Sequence, residues 1–213
     1  MSNQTEYAYK YIRERILDGT FKPTQKLIES QLSELISVSR NTVKKALLKL
    51  EQENLVKIEN NKGATIKSFT LEEVKNYLEI REALEGLIAR SAAKHITDAE
   101  IDALEQLLLR MGDFLKQNQF DEYSKLNKEF HSIIYKASRN IQATEMVNMI
   151  KTQLMRFHFR TLLIPGRNES SFNEHQMIFT TLKNHDSEKA EEAIKQHISN
   201  VRKTIENNYQ YLL

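Results

Sequence analysis

The sequence predicts a mostly α-helical protein in two parts, a small N-terminal unit over 1–68 and a larger all-helical unit over 69–213. Three observations carry this prediction. Glycine and proline number only five and two in 213 residues, too few for the tight turns of an all-β fold. Apolar residues recur at helical spacing along most of the chain, and almost without a break after Thr70. One stretch alone, 55–67, alternates with the period of a strand pair around a polar turn. A hydrophobic content of 40% with 28% charge is enough for a folded core.

The first predicted helix covers 5–18, with Ala8, Tyr11, Ile12, Ile16 and Leu17 on one face; Gly19 ends it, and Pro23 lies in the loop beyond. A short second helix, about 29–36, turns Ile28, Leu32, Leu35 and Ile36 inward. Ser37-Val38-Ser39 makes the turn, and Ser39 caps a third helix, about 40–53, whose inner face is Val43, Ala46, Leu47 and Leu50. Leu55–Glu59 and Ala64–Lys67 then read as two strands around Asn60-Asn61-Lys62-Gly63. Thr70 with Glu73, and Thr97 with Glu100, have capping-box spacing. Six helices follow, near 71–94, 98–117, 120–137, 141–163, 170–184 and 187–209, with Pro165-Gly166 between the fourth and fifth.

Three helices and a β-hairpin make a winged helix-turn-helix, in which the third helix enters the DNA major groove. Charge agrees. Residues 1–69 carry twelve Lys/Arg against eight Asp/Glu, while the remainder carries nineteen against twenty-one. Between residues 39 and 50 stand four basic residues and no acid. Ser39, Arg40, Asn41, Thr42, Lys44, Lys45 and Lys49 on this helix, with Lys62 and Gly63 of the wing, are the candidate DNA-binding residues. Arginine reads guanine through two hydrogen bonds and asparagine can read adenine, whereas lysines mainly neutralise phosphates. Solvated surface charge is the plainer alternative for any one lysine.

Absences narrow the function further. With no cysteine, a disulfide framework, a thiolate zinc site, an iron–sulfur cluster and a cysteine nucleophile are excluded. No signal pattern opens the chain and no run of 18 apolar residues occurs, so a cytoplasmic protein with no membrane partner is expected.

Residues 11–66 resemble the DNA-binding domain of the GntR family of bacterial regulators. The strings that carry the resemblance are Ile16-Leu17-Asp18-Gly19, Leu27-Ile28-Glu29, Leu32-Ser33-Glu34, Val38–Leu47 and Leu50–Val56. The chain departs from the family pattern at Thr24 (often Gly), Lys44 (usually Arg), Lys45 (usually Glu), Asn54 (Gly) and Lys62 (usually Arg). Asparagine tolerates the left-handed conformation that glycine would take at 54.

The body, about 70–210, resembles the FCD-type effector domain of the FadR branch of that family. Glu79–Glu85, Asn127–His131, Ala137–Asn140, Glu174–Ile178 and His185 through His197 carry this resemblance. It implies an antiparallel six-helix bundle around a cavity, a homodimer on a pseudo-palindromic DNA operator, and a small-molecule effector, most simply a carboxylate. It also implies a divalent metal, zinc or nickel, held by the residues at Asn127, His131, His175 and His197, with Asn127 weakening a site where aspartate is usual. Spacing alone puts Asn127 and His131 on one helix face. A hydrogen-bonded core cluster is the alternative for these histidines. Arg81 is the candidate effector-binding residue, or else one half of a salt bridge, and Arg156 with Arg160 is a weaker candidate pair. His95, His158 and His185 match no ligand position. The function these readings imply is a ligand-responsive DNA-binding regulator, most simply a repressor and not an enzyme. The rivals are a metal-dependent hydrolase-like helical domain tethered to DNA and a sequence-nonspecific architectural protein.

Overall fold

The computed structural model describes residues 3–59, 63–155, 161 and 164–211. The chain forms two compact units, one built on 1–70 with the segment 151–156, the other on 71–150 and 157–213.

In the first unit α1 (Asn3–Leu17), α2 (Glu29–Leu35) and α3 (Arg40–Gln52) precede a hairpin of β2 (Val56–Glu59) and β3 (Gly63–Ile66). Ala8, Ile12 and Ile16 of α1 pack with Leu32 and with Val43, Ala46, Leu47 and Leu50 of α3. The Ser39 side chain accepts the Thr42 amide at 3.1 Å, the cap expected of it. Two details differ from expectation. Leu32 and Ile36 are buried, but Ile28 and Leu35 are 41% and 59% exposed. A helix of seven residues has room for a single inward row, and α2 spends it on Leu32. The sheet also has a third strand, β1 (Lys26–Leu27), antiparallel to β3 in the order β1-β3-β2. Two residues are too few to show a period. Their pairing comes from β3, where Leu27 faces Ala64. Gly63 has φ +85°, and a Cβ there would lie 2.5 Å from the Leu27 carbonyl oxygen, so the close approach of β1 requires glycine.

Asn54 takes the left-handed conformation at φ 60°, as expected, and so does Thr24 at φ 64°. The Thr24 amide is tied to the Ile66 carbonyl at 2.9 Å, which holds a β-branched residue in a costly region. Thr24→Gly is therefore expected to stabilise this unit by about 1 kcal/mol, read as a higher unfolding midpoint. A lower midpoint would show that the strain is absorbed elsewhere.

The second unit contains, among the described residues, α4 (Leu71–His95), α5 (Asp98–Lys116), α6 (Phe120–Ala137), α7 (Ile141–Gln153), α8 (Arg167–Lys183) and α9 (Ser187–Asn208). The fifth body helix begins at Arg167, three residues earlier than the apolar pattern indicates, because left-handed Gly166 delivers the chain straight into it. Thr97 and Glu100 close a complete capping box on α5. One core joins all six helices through Ile88, Leu104, Phe130, Val147, Ile178 and Ile194. Among the described residues no helix is long and apolar enough to cross a membrane.

Candidate functional site

The first candidate surface is α3. Arg40, Asn41, Lys44 and Lys45 are exposed on it, and Leu48, which the charge pattern does not flag, extends the same face. The other residues expected there are engaged in the fold. Ser39 and Thr42 spend their hydroxyls on each other, 2.8 Å apart, within the cap. Lys49 pairs with Glu6 at 3.3 Å and lies over the Tyr9 ring. Gly63 opens β3, while Lys62 falls outside the described residues.

The second site lies inside the helical unit. His131 comes from α6, His175 from α8 and His197 from α9, and all three are buried. One nitrogen from each lies within 4.8 Å of the others. The tautomers follow from the partners. His175 Nδ1 donates to the Ser171 carbonyl, which can only accept. His197 Nδ1 donates to the Glu174 carboxylate at 2.6 Å. His131 Nδ1 faces Glu85 at 3.6 Å. Each Nδ1 is thus turned to an outer oxygen, which leaves the Nε2 lone pairs of His175 and His197 toward the centre. This is how metal-binding imidazoles are ordinarily oriented.

One edge of the triad has the span that a divalent ion requires. His131 Nε2 and His175 Nε2 are 3.2 Å apart, close to the edge of about 3.3 Å of a tetrahedron with metal–nitrogen bonds of 2.0–2.1 Å. Asn127, one turn before His131, is buried, and its Oδ1 has no hydrogen-bond partner. An orphaned buried acceptor costs about 1–3 kcal/mol, and a cation would relieve it. Phe130 sets its ring edgewise against His175, centroids 5.1 Å apart, and supplies an apolar wall.

Two ion pairs, one buried and one part-buried, flank the imidazoles. Arg81 meets Glu85, four residues on, so the arginine expected to face the cavity already has a carboxylate partner. Arg167 holds Glu174 through two hydrogen bonds of 3.1 and 2.9 Å, and Asn200 donates to the same carboxylate at 2.9 Å. Burial pushes the Glu174 pKa up, but the hydrogen bonds from His197 and Arg167 outweigh it and hold the group down at about 2. Sequence reasoning missed Glu174, Arg167, Ser171, Glu85 and Asn200. The only local signal was an acid directly before His175. His95 and His185 bond the carbonyls of Ser91 and Ala93, outside this site. His158, Arg156 and Arg160 lie outside the described residues.

Burial holds the His175 pKa down at about 3, with the nearby His197 adding to the effect, and burial lowers His197 as well. In the unfolded chain both titrate near 6.5. Below that value the unfolded state binds protons that the native state refuses. Stability is therefore fully present above about pH 6.5 and is lost as pH falls toward the folded values, by up to roughly 1.4 kcal/mol per pH unit and group. The unfolding midpoint of chelator-treated protein should drop between pH 7 and pH 5. A flat profile would mean that the imidazoles accept protons within the fold.

Residues 4–66 match the gntR family of bacterial regulatory proteins, and residues 76–200 match the FCD domain. The chain belongs to the GntR family of bacterial regulators and carries an FCD domain. Members of the GntR family are transcription regulators rather than enzymes, which removes the hydrolase reading. This GntR chain is 26% identical to the HTH-type transcriptional repressor RspR of Escherichia coli, over 92% of its own length and 86% of that protein. It is 30% identical to the HTH-type transcriptional regulator YdhC of Bacillus subtilis, over 89% and 84% of the two chains. The solved structure of E. coli McbR/YncC matches its fold with a TM-score of 0.79, at 18% identity, over 98% of this chain and all of that one.

Proposed function

We propose that this GntR-family regulator is a repressor whose helical domain holds a divalent metal, zinc or nickel, and a small carboxylate effector. The observation that carries the reading is the convergence of three buried imidazoles whose Nδ1 atoms all face outer oxygens. His131, His175 and His197 hold the ion and Asn127 contributes a neutral oxygen. Bound there, the ion supplies positive charge for an anionic ligand. Arg81 supports the effector carboxylate, though Glu85 already balances its charge. Arg40, Asn41, Lys44 and Lys45 meet the DNA, joined by Gly63 of the hairpin, and Lys62, its neighbour in sequence, adds a charge for phosphate. A cytoplasmic homodimer places two such heads on a pseudo-palindromic operator, and an effector alters DNA affinity only by favouring one of two arrangements.

Gel-shift titration of an operator fragment, with and without zinc and a panel of organic acids, tests this reading. Arg40→Ala should cost about 1–3 kcal/mol of operator affinity with the fold intact. Unchanged affinity would remove Arg40 from the interface. Random DNA competing as well as the operator would favour the architectural reading instead. Acids that leave the zinc-loaded complex unaffected would overturn the effector assignment.

A further inference from the structure

One exposed side chain of α3 has no place in a surface that works by charge alone. Leu48 is 45% exposed. The core takes Val43, Ala46, Leu47 and Leu50 from the other side of the same helix. At about 100° per residue, Arg40, Lys44, Leu48, Asn41 and Lys45 fall in that order across roughly 140° of α3. Leu48 therefore stands in the middle of the basic face, nearly opposite the core. Its four companions there are exposed, and so is Gln52, one turn further on. Lys49, the next residue, gives its charge to Glu6 of α1 at 3.3 Å and lies over the Tyr9 ring.

A single exposed leucine is ordinary on a helix surface, and leucine favours the helix itself. Leu48 differs in its surroundings, because an apolar side chain set among DNA-facing residues is carried into the groove with them. Base edges in the major groove present hydrogen-bond donors and acceptors, and the thymine methyl is the one apolar group among them. Against guanine O6 or cytosine N4, leucine would strip water from a polar group and offer no bond in return. Against a thymine methyl, it removes two apolar surfaces from water together. A leucine here thus favours one base and penalises the others. At a rise of about 1.5 Å per residue it stands about 12 Å along the helix from Arg40, or about three to four base-pair steps. It meets a base pair of its own, apart from the one that Arg40 contacts.

We propose that Leu48 is a specificity-determining residue of the DNA interface, one that reads a thymine methyl about three to four base pairs from the Arg40 contact. This rests on the DNA-facing reading of α3 and adds a base preference to it. In the homodimer proposed above, the thymine recurs once in each half-site. Lysines that neutralise phosphates set the salt dependence of binding, and leucine has no part in that. Loss of the leucine therefore changes which sequences are chosen and leaves the salt dependence in place.

Selection of bound duplexes from a random-sequence DNA library tests the proposal, with the full wild-type chain and with Leu48→Ala and Leu48→Gln. The wild-type chain should enrich a thymine that neither variant enriches, while the other enriched positions stay the same. Deoxyuridine in place of that thymine removes only the methyl. It should weaken wild-type binding about fourfold per half-site, the worth of one buried methyl, and leave Leu48→Ala nearly unaffected. Leu48 lies outside the core, so both variants should melt at the wild-type temperature and keep the wild-type salt slope. Identical enriched sequences for all three chains would overturn the methyl contact and leave the DNA-facing helix standing. So would a deoxyuridine effect of equal size in the wild type and Leu48→Ala. A Leu48→Ala chain that loses affinity equally for every duplex would place the leucine on the sugar–phosphate backbone. One that sediments differently from the wild type without DNA would place it in a protein contact. Either result would overturn the proposal. No sequence enriched by the wild-type chain would overturn both this proposal and the operator reading beneath it.

Discussion

Glu174→Gln is expected to lower zinc affinity by about 10- to 100-fold and to destabilise the helical unit by about 3 kcal/mol. Both effects have one origin. The carboxylate accepts the His197 Nδ1 proton and two bonds from Arg167, and Asn200 adds a third donor. Glutamine has nearly the same shape but no charge and one acceptor atom fewer. His197, Arg167 and Asn200 would compete for the one remaining oxygen, so His197 Nε2 would carry the proton part of the time and could not then ligate. Arg167, 9% exposed, would keep its charge without a counter-ion. Breaking a buried pair from one side costs several kcal/mol because the remaining charge stays buried. The figure here is at the low end of that range, since the Glu174 side chain keeps 14% of its exposure. For a chain of this size that is a drop of roughly 6–12 °C in unfolding midpoint. Zinc competition against a chelator and thermal unfolding check the two effects separately. Unchanged zinc affinity with a lowered midpoint would confine Glu174 to the fold.

Asn127→Asp should act in the opposite direction, raising metal affinity by about tenfold or more. Three neutral imidazoles leave the whole double charge of a bound ion in a buried site. A carboxylate at 127 would offset part of it and make a stronger bond at nearly constant side-chain volume. It would also carry a cost without metal, because a buried carboxylate with no partner resists ionisation. The metal-free variant should therefore unfold more readily than the parent at neutral pH, and the zinc-loaded variant less readily. Binding of an anionic effector should weaken, since the site then presents less positive charge. Titration of both proteins with zinc against a competing chelator settles the point. Equal affinity would show that residue 127 does not reach the ion.

The sequence by itself determined the features that are written locally. Apolar positions at helical spacing set α1, α3 and the helices of the body, and hydroxyl or acid caps such as Ser39 and Thr97 set where two of them begin. The i, i+4 spacing of Asn127 and His131 put both on one face of α6, and the family strings brought His175 and His197 to the same site. The run of bases on α3 carried the expectation of a DNA-facing helix, but it could not show which of those bases form ion pairs within the fold. Lys49 satisfies the helical spacing of Lys45 and yet turns to Glu6, 43 positions away in sequence. Leu35 satisfies an apolar pattern and yet stays outside, because a seven-residue helix has one inward row. β1 exists only because β3 offers it a paired edge. The outer oxygens of the imidazoles were decided by the tertiary structure in the same way. Glu174 reaches across to His197 on the next helix, and Glu85 reaches His131 on another. Side-chain period and capping act over four residues or fewer, so a single sequence carries them. Ion pairs and converging lone pairs act between helices, and only the packed bundle sets which groups meet.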